Sequence, residues 1–189
     1  MRFALLPSQP KLSKPEDQEL LESIKAQRGA AGLSDLDRAL LYTPEITRGW
    51  KTFFSAIRTA ASISDTTREL AISRLAIVNK IKIEFDVHSP LFIKASNGKA
   101  TQEALEYIRD TPVGSHKLGS AGPGGLDESD IAVLEYTDGV TKDARVSDAV
   151  FQELQRHLDN KQIVDLTVLV AAYNAVSRIV LPLRLFNEI

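Results

Sequence analysis

The chain of 189 residues contains no cysteine. That absence excludes disulfides, thiolate metal sites and any cysteine nucleophile or redox pair. An excess of one charge is also missing: 23 Lys and Arg stand against 25 Asp and Glu, for a net charge of −2, and neither sign forms a run. Binding a polyanion calls for a concentrated basic surface, so nucleic acid is not expected as a partner. The opening MRFALLPSQP has a short apolar stretch before Pro7, where a secretory leader needs about 7–15 apolar residues, and a cytoplasmic protein is expected. The longest apolar region, Ile163 to Phe186, is interrupted by Asp165, Asn174, Arg178 and Arg184. A membrane-spanning helix needs about 20 largely apolar residues, so this region reads as a buried core helix and no membrane partner is expected.

What the chain does have is a 43% share of hydrophobic residues, enough to bury a core without staples. Their spacing predicts an all-α fold. A first helix over 14–28 carries acids in its first turn and bases in its last. A second, Asp35 to Leu41, follows Ser34 as N-cap, and Thr43-Pro44 starts a third. That third helix places Ile46, Trp50, Phe53, Phe54 and Ile57 on one face, with Trp50 expected in the core. The fourth begins at Ser64-Asp65 and is apolar over much of its surface, so it belongs inside the fold. A break near Lys80–Ile83 precedes a helix from about Glu84 to Ala95, closed by Asn97-Gly98. The segment IKIEF alternates like a strand but has no second strand to pair with. Further helices follow Thr101, Asp127 and Ser147, and the last one has Pro182 as a point of bending. Between Asp110 and Leu126 runs TPVGSHKLGSAGPGG, a loop of the length found in lids and binding loops. Its His116 is expected to be exposed.

Polar residues on apolar helices carry the functional information, because a buried polar group costs a few kcal/mol unless it finds a partner. Glu84 and His88 are four apart and share a helical face, and Glu69 stands at the start of the most apolar helix. Asn174 and Arg178 are likewise four apart, just after Tyr173. Arg178 is expected to pair with Glu69 or Asp165, while Arg68, Arg74 and Lys80 are expected to be solvated or interfacial. His157 is expected to cap a helix end. Glu84, Asp86 and His88 offer metal-ligand atoms, but at ~100° per residue Asp86 points about 160° from Glu84, so no metal site and no cofactor are expected.

The same residues resemble a known superfamily, the carboxymuconolactone decarboxylase and alkylhydroperoxidase D group. Its peroxidase branch carries a glutamate twelve residues before a Cys-x-x-Cys and a histidine four residues after the second cysteine. In this chain that frame reads Glu69, Ile81, Glu84 and His88, so the acid and base ends are kept and the sulfur positions are Ile and Glu. A thiolate is indispensable to thiol peroxidase chemistry, and this chain has none. EFDVHSP at 84–90 is closer to the cysteine-free members, whose pattern is Glu-Trp/Phe-x-x-His followed by Pro or Ala. LDRALLYTPEITRGW, AVLEYTDGVT and YNAVSR resemble flanking segments of the family, over about 32–185.

The resemblance implies an all-α fold of six or more helices, with residues 1–31 as an N-terminal extension and 32–189 as the family domain. It also implies a homo-oligomer, from dimer or trimer to hexamer, with pockets near subunit contacts. The expected function is a cofactor-independent lyase, a decarboxylase of a small oxo- or lactone-bearing carboxylic acid. His88 is the expected general acid/base, Glu84 or Glu69 orients it, and Arg178 or Asn174 holds a substrate carboxylate or oxyanion, with Tyr173 and Trp50 as further substrate contacts. The rival readings are a cofactor-free isomerase or hydrolase using the same residues, and a non-catalytic helical oligomer in which Glu84 and His88 are a structural pair.

Overall fold

The computed structural model describes residues 2–186, and within them every regular element is helical. The chain packs as two units: residues up to Ala60 together with those from Arg178 onward, and Ala61–Ser177.

The first unit holds α1 (Pro15–Arg28), α2 (Asp35–Leu40) and α3 (Pro44–Thr59). The start of α2 is fixed by a capping box in which Ser34 accepts from the Asp37 amide and Asp37 accepts from the Ser34 amide, satisfying two otherwise orphaned donors. Leu20, Leu21 and Ile24 of α1 bury against Leu41, with Leu6, Leu12 and Leu33 at the margin. Arg28 forks onto Asp37 at 2.8 and 2.9 Å, and Arg48 pairs with Asp17. The apolar stripe of α3 departs from its expected place in the core. Ile57 alone of the five is buried; Ile46 is 62% exposed and Phe53 45% exposed, while Trp50 stacks on Phe54 with ring centroids 4.4 Å apart. Periodicity specifies that a helix has an apolar face, not that the same chain covers it.

The second unit is built around α4 (Asp65–Val78), with α5 (Lys82–Ala95), α6 (Gln102–Asp110), α7 (Glu128–Asp143), α8 (Asp148–Gln155) and most of α9 (Asn160–Leu183). Ser64, Asp127 and Ser147 cap α4, α7 and α8 by accepting backbone amides. Every residue of α4 from Glu69 to Ala76 is buried, because α4 packs against α5, α6 and α7. IKIEF is helical beyond Ile81, and Lys80 at φ 58° makes the elbow between α4 and α5. Asn97 and Gly98, both at positive φ, end α5. Helix α9 runs through Pro182 to Leu183. It is long and apolar enough to cross a membrane, and half of its most apolar window is buried inside the protein.

The glycine-rich loop is not a free flap along its whole length. Its second half folds into a tight turn, Pro123–Gly125, against the start of α6, and the Gly124 carbonyl accepts the Thr101 amide at 2.9 Å. A Cβ on Gly125, at φ 88°, would meet the Lys99 carbonyl oxygen at 2.0 Å, so only glycine fits there.

Candidate acid–base site

Two helices supply the site. Glu69 lies in the second turn of α4 and His88 in the second turn of α5, and the Lys80 elbow turns the two helices together. His88 Nδ1 and Glu69 Oε2 are 2.6 Å apart, the length of a charge-assisted hydrogen bond. The other ring nitrogen, Nε2, faces Glu84 Oε2 at 3.3 Å from one turn earlier on α5. Glu69 also accepts from Arg68 Nε at 3.1 Å, and Arg68 in turn holds Asp65 at 2.8 Å. The Tyr173 and His88 rings meet in a T-shaped arrangement, 5.5 Å between centroids.

The electrostatics follow from this geometry. Burial pushes the His88 pKa down, but hydrogen bonding to Glu69 and Glu84 outweighs it, leaving the imidazole above its ordinary value. Burial pushes Glu69 up, and the His88 and Arg68 contacts more than offset that, leaving it below the usual carboxylate range. Glu69 therefore keeps its negative charge beside the ring, and His88 holds its proton more tightly than an ordinary imidazole does. The Glu84 side chain is 18% exposed against 6% for His88, so the Nε2 side is where the centre meets solvent.

Of the residues singled out from the sequence, Glu69, Glu84, His88 and Tyr173 come together. Asn174 lies in a hydrogen-bond network: its amide donates to Thr141 Oγ1 at 3.2 Å and to the Val170 carbonyl, and its oxygen accepts from Asn79 at 3.0 Å. Asn79 also donates to Ser177, so this network ties α9 to the end of α4 and to α7. Trp50 and Arg178 belong to the first unit. Of the two carboxylates expected to receive Arg178, Glu69 contacts His88 and Arg68, and Asp165 contacts Ser62 and Lys161. Asp165 is lowered to about 2 by the Lys161 and Ser62 hydrogen bonds.

Three expectations are corrected. Arg74 is fully buried rather than solvated: it forks onto Asp138 at 2.5 and 2.7 Å and donates to the carbonyls of Ile108 and Thr111. His116 is buried, with its Nδ1 3.2 Å from the Tyr107 hydroxyl and its Nε2 3.4 Å from Asp138 Oδ2. His157 does not cap a helix end; it turns back one turn to Glu153 at 3.2 Å. Arg74 and Asp138 were the residues missed. Their sequence signal was faint: Arg74 stands amid the apolar residues Ala71, Ile72, Leu75 and Ala76, and Asp138 is one of several acids on α7.

No protein-family model matches the chain, and no curated protein matches it. Solved structures do. A peroxidase-related protein from Silicibacter sp. TM1040 superposes with a TM-score of 0.70 at 16% identity, over 95% of this chain and 87% of the other. A peroxidase-related protein with an alkylhydroperoxidase AhpD core, from Ralstonia eutropha JMP134, gives 0.66 at 14% identity over 95% and 87%. A protein of unknown function from Agrobacterium tumefaciens, linked by name to antioxidant defence and AhpD, gives 0.58 at 21% identity over 77% and 92%. The fold is thus AhpD-like, carried here by a chain without cysteine.

Proposed function

We propose that the Glu69–His88–Glu84 centre moves protons in a cofactor-independent lyase, acting as decarboxylase of a small oxo- or lactone-bearing carboxylic acid. The observation that supports this reading is a buried imidazole held on Nδ1 by one carboxylate at 2.6 Å while Nε2 faces a second, partly exposed one at 3.3 Å. A structural pair needs one carboxylate; an acid–base relay needs an orienting anion on one side and a route to solvent on the other. In the proposed reaction the substrate C–CO₂⁻ bond breaks and its electron pair passes into an enolate. The His88 Nε2 proton is delivered to that carbanion, and Glu84 returns a proton from water to the ring. Isomerisation or lactone opening would draw on the same relay.

The test is turnover of candidate oxo acids and lactone acids by the wild type, His88→Ala and Glu84→Gln, with folding checked by circular dichroism. Loss of about 10²–10⁴-fold in the histidine variant is expected. Unchanged rates in both variants would return the centre to a structural role.

Self-association and a cytoplasmic setting belong to the same proposal. Ile46 and Phe53 on α3, and Ile83, Val87 and Leu91 at four-residue spacing on α5, are exposed, and apolar faces of this kind are typical of subunit contacts. Light scattering on the purified chain decides it, with a monomer as the outcome against.

A further inference from the structure

A second cluster of ligating groups, separate from the acid–base centre, lies where the glycine-rich loop meets α7. Ligand atoms of His116, Glu135 and Asp138 all lie within 4.8 Å of one another. His116 Nε2 is fully buried and has no hydrogen-bond partner. Leaving such a nitrogen unsatisfied costs about 1–3 kcal/mol, so the position calls for an occupant. The spacing suggests which one. At 3.4 Å from Asp138 Oδ2, Nε2 is too far for a good hydrogen bond. Nitrogen and oxygen ligands at about 2.0–2.2 Å from a tetrahedral zinc ion stand about 3.4 Å apart.

Each of the three residues also has an outer partner of the kind that fixes metal ligands. Tyr107 Oη stands 3.2 Å from Nδ1 and can accept a hydrogen bond from it, and in that tautomer Nε2 carries the lone pair. Asp138 is held by Arg74 and by the Gly114 amide at 2.9 Å. Glu135 accepts the His116 backbone amide at 2.9 Å. A cavity of about 200 Å³ borders the group on its Gly114, Glu135 and Asp138 side and gives a route in. Arg74 offsets Asp138, which leaves Glu135 as the ligand whose charge a cation would meet; Lys142, Asp143 and Arg145 also line the adjoining cavity. Among the described residues the other His–carboxylate group, Glu128, Glu153 and His157, has no such orphan: Glu128 is exposed, His157 is half-buried, and His157 Nε2 already meets Glu153.

We propose that His116, Glu135 and Asp138 form a three-ligand site for a divalent transition-metal cation of the zinc type, on the loop side of α7. The ion joins the loop to the helix and keeps one coordination position for water or an incoming ligand. The experiment is titration of chelator-treated full-length protein with Zn²⁺ by calorimetry, and with Co²⁺ by visible absorption. Expected are one equivalent bound with tetrahedral cobalt bands, binding weakened at least tenfold in Glu135→Gln and in His116→Gln, and no change in Glu153→Gln. Because Glu135 is only half-buried, its variant keeps the test open if the histidine variant does not fold. Absence of binding by the wild type overturns the proposal, including the case in which His116 only takes up a proton. Binding that survives Glu135→Gln, or that is lost in Glu153→Gln instead, also overturns it.

Discussion

His88 and His116 are both buried, both lie against acidic side chains, and both belong to the unit built around α4. They differ in what balances the charge around them. Near His116 the carboxylate Asp138 already has a full counter-ion in Arg74, which binds it through both oxygens. Near His88 the better-buried carboxylate, Glu69, takes its main contact from the histidine itself, and a second carboxylate waits on the far side of the ring. The lesson is that a histidine beside a carboxylate is not one motif. Asp138 gives both its oxygens to Arg74 and stands 3.4 Å from His116, whereas Glu69 makes its shortest contact, 2.6 Å, with His88 and a longer one, 3.1 Å, with Arg68.

The largest expected effect tests the Arg74 half of that contrast. Arg74→Met leaves Asp138 buried without its counter-ion, and removing one partner of such a pair costs about 3–5 kcal/mol, to be read in urea unfolding. Glu69→Gln keeps the shape at the other site but takes away the anion, and a loss of about 1–3 kcal/mol is expected. If the two losses were equal, the distinction between the sites would fail. The pH profile sharpens it further. A histidine whose folded pKa is raised holds its proton more tightly folded than unfolded. Its stabilisation is complete below the unfolded value of about 6.5 and is lost as pH rises through the higher folded value. Wild-type stability should therefore fall from near neutral pH upward, and His88→Gln should flatten that window. Glu69 runs the other way, its contribution present above about pH 4.3 and lost as pH falls through its lowered folded value. The smallest expected effect is on the stability of Glu84→Gln, within about 1 kcal/mol for a partly exposed contact, even though that substitution is among the more damaging to the proposed turnover.

The two sites also differed in how far they could be read from the sequence. Glu84 and His88 are linked by helical spacing, and Glu69 by the family frame; both are short-range regularities. The caps at Ser34, Ser64, Asp127 and Ser147 were legible for the same reason, since a cap acts on amides two or three residues away. Arg74 and Asp138 are 64 positions apart, and no local rule connects them. Arg74, like Arg68, read as a solvated or interfacial residue because its partner was out of view. His116 read as idle because a loop rich in glycine looks mobile, whereas two of its glycines pack on the backbone of Lys99 and Ala104. The α3 stripe failed in another way, since amphipathicity says nothing about which surface covers it.

The Lys80 elbow has a consequence for how the protein reaches its native state. The bond that defines the acid–base centre closes over only 19 positions, from Glu69 to His88, whereas Arg74–Asp138 spans 64 and Asn79–Ser177 spans 98. Ring closure is entropically cheaper for short loops, and chains rich in local contacts fold faster. The α4–α5 hairpin can therefore assemble as a unit while the rest of the chain is still searching, and substitutions at the elbow, such as Lys80→Pro, should slow refolding more than they accelerate unfolding. The expected order is the α4–α5 hairpin first, then α7 through Arg74 and α9 through Asn79, to be checked by higher φ-values at Glu69 and His88 than at Asp138 and Ser177.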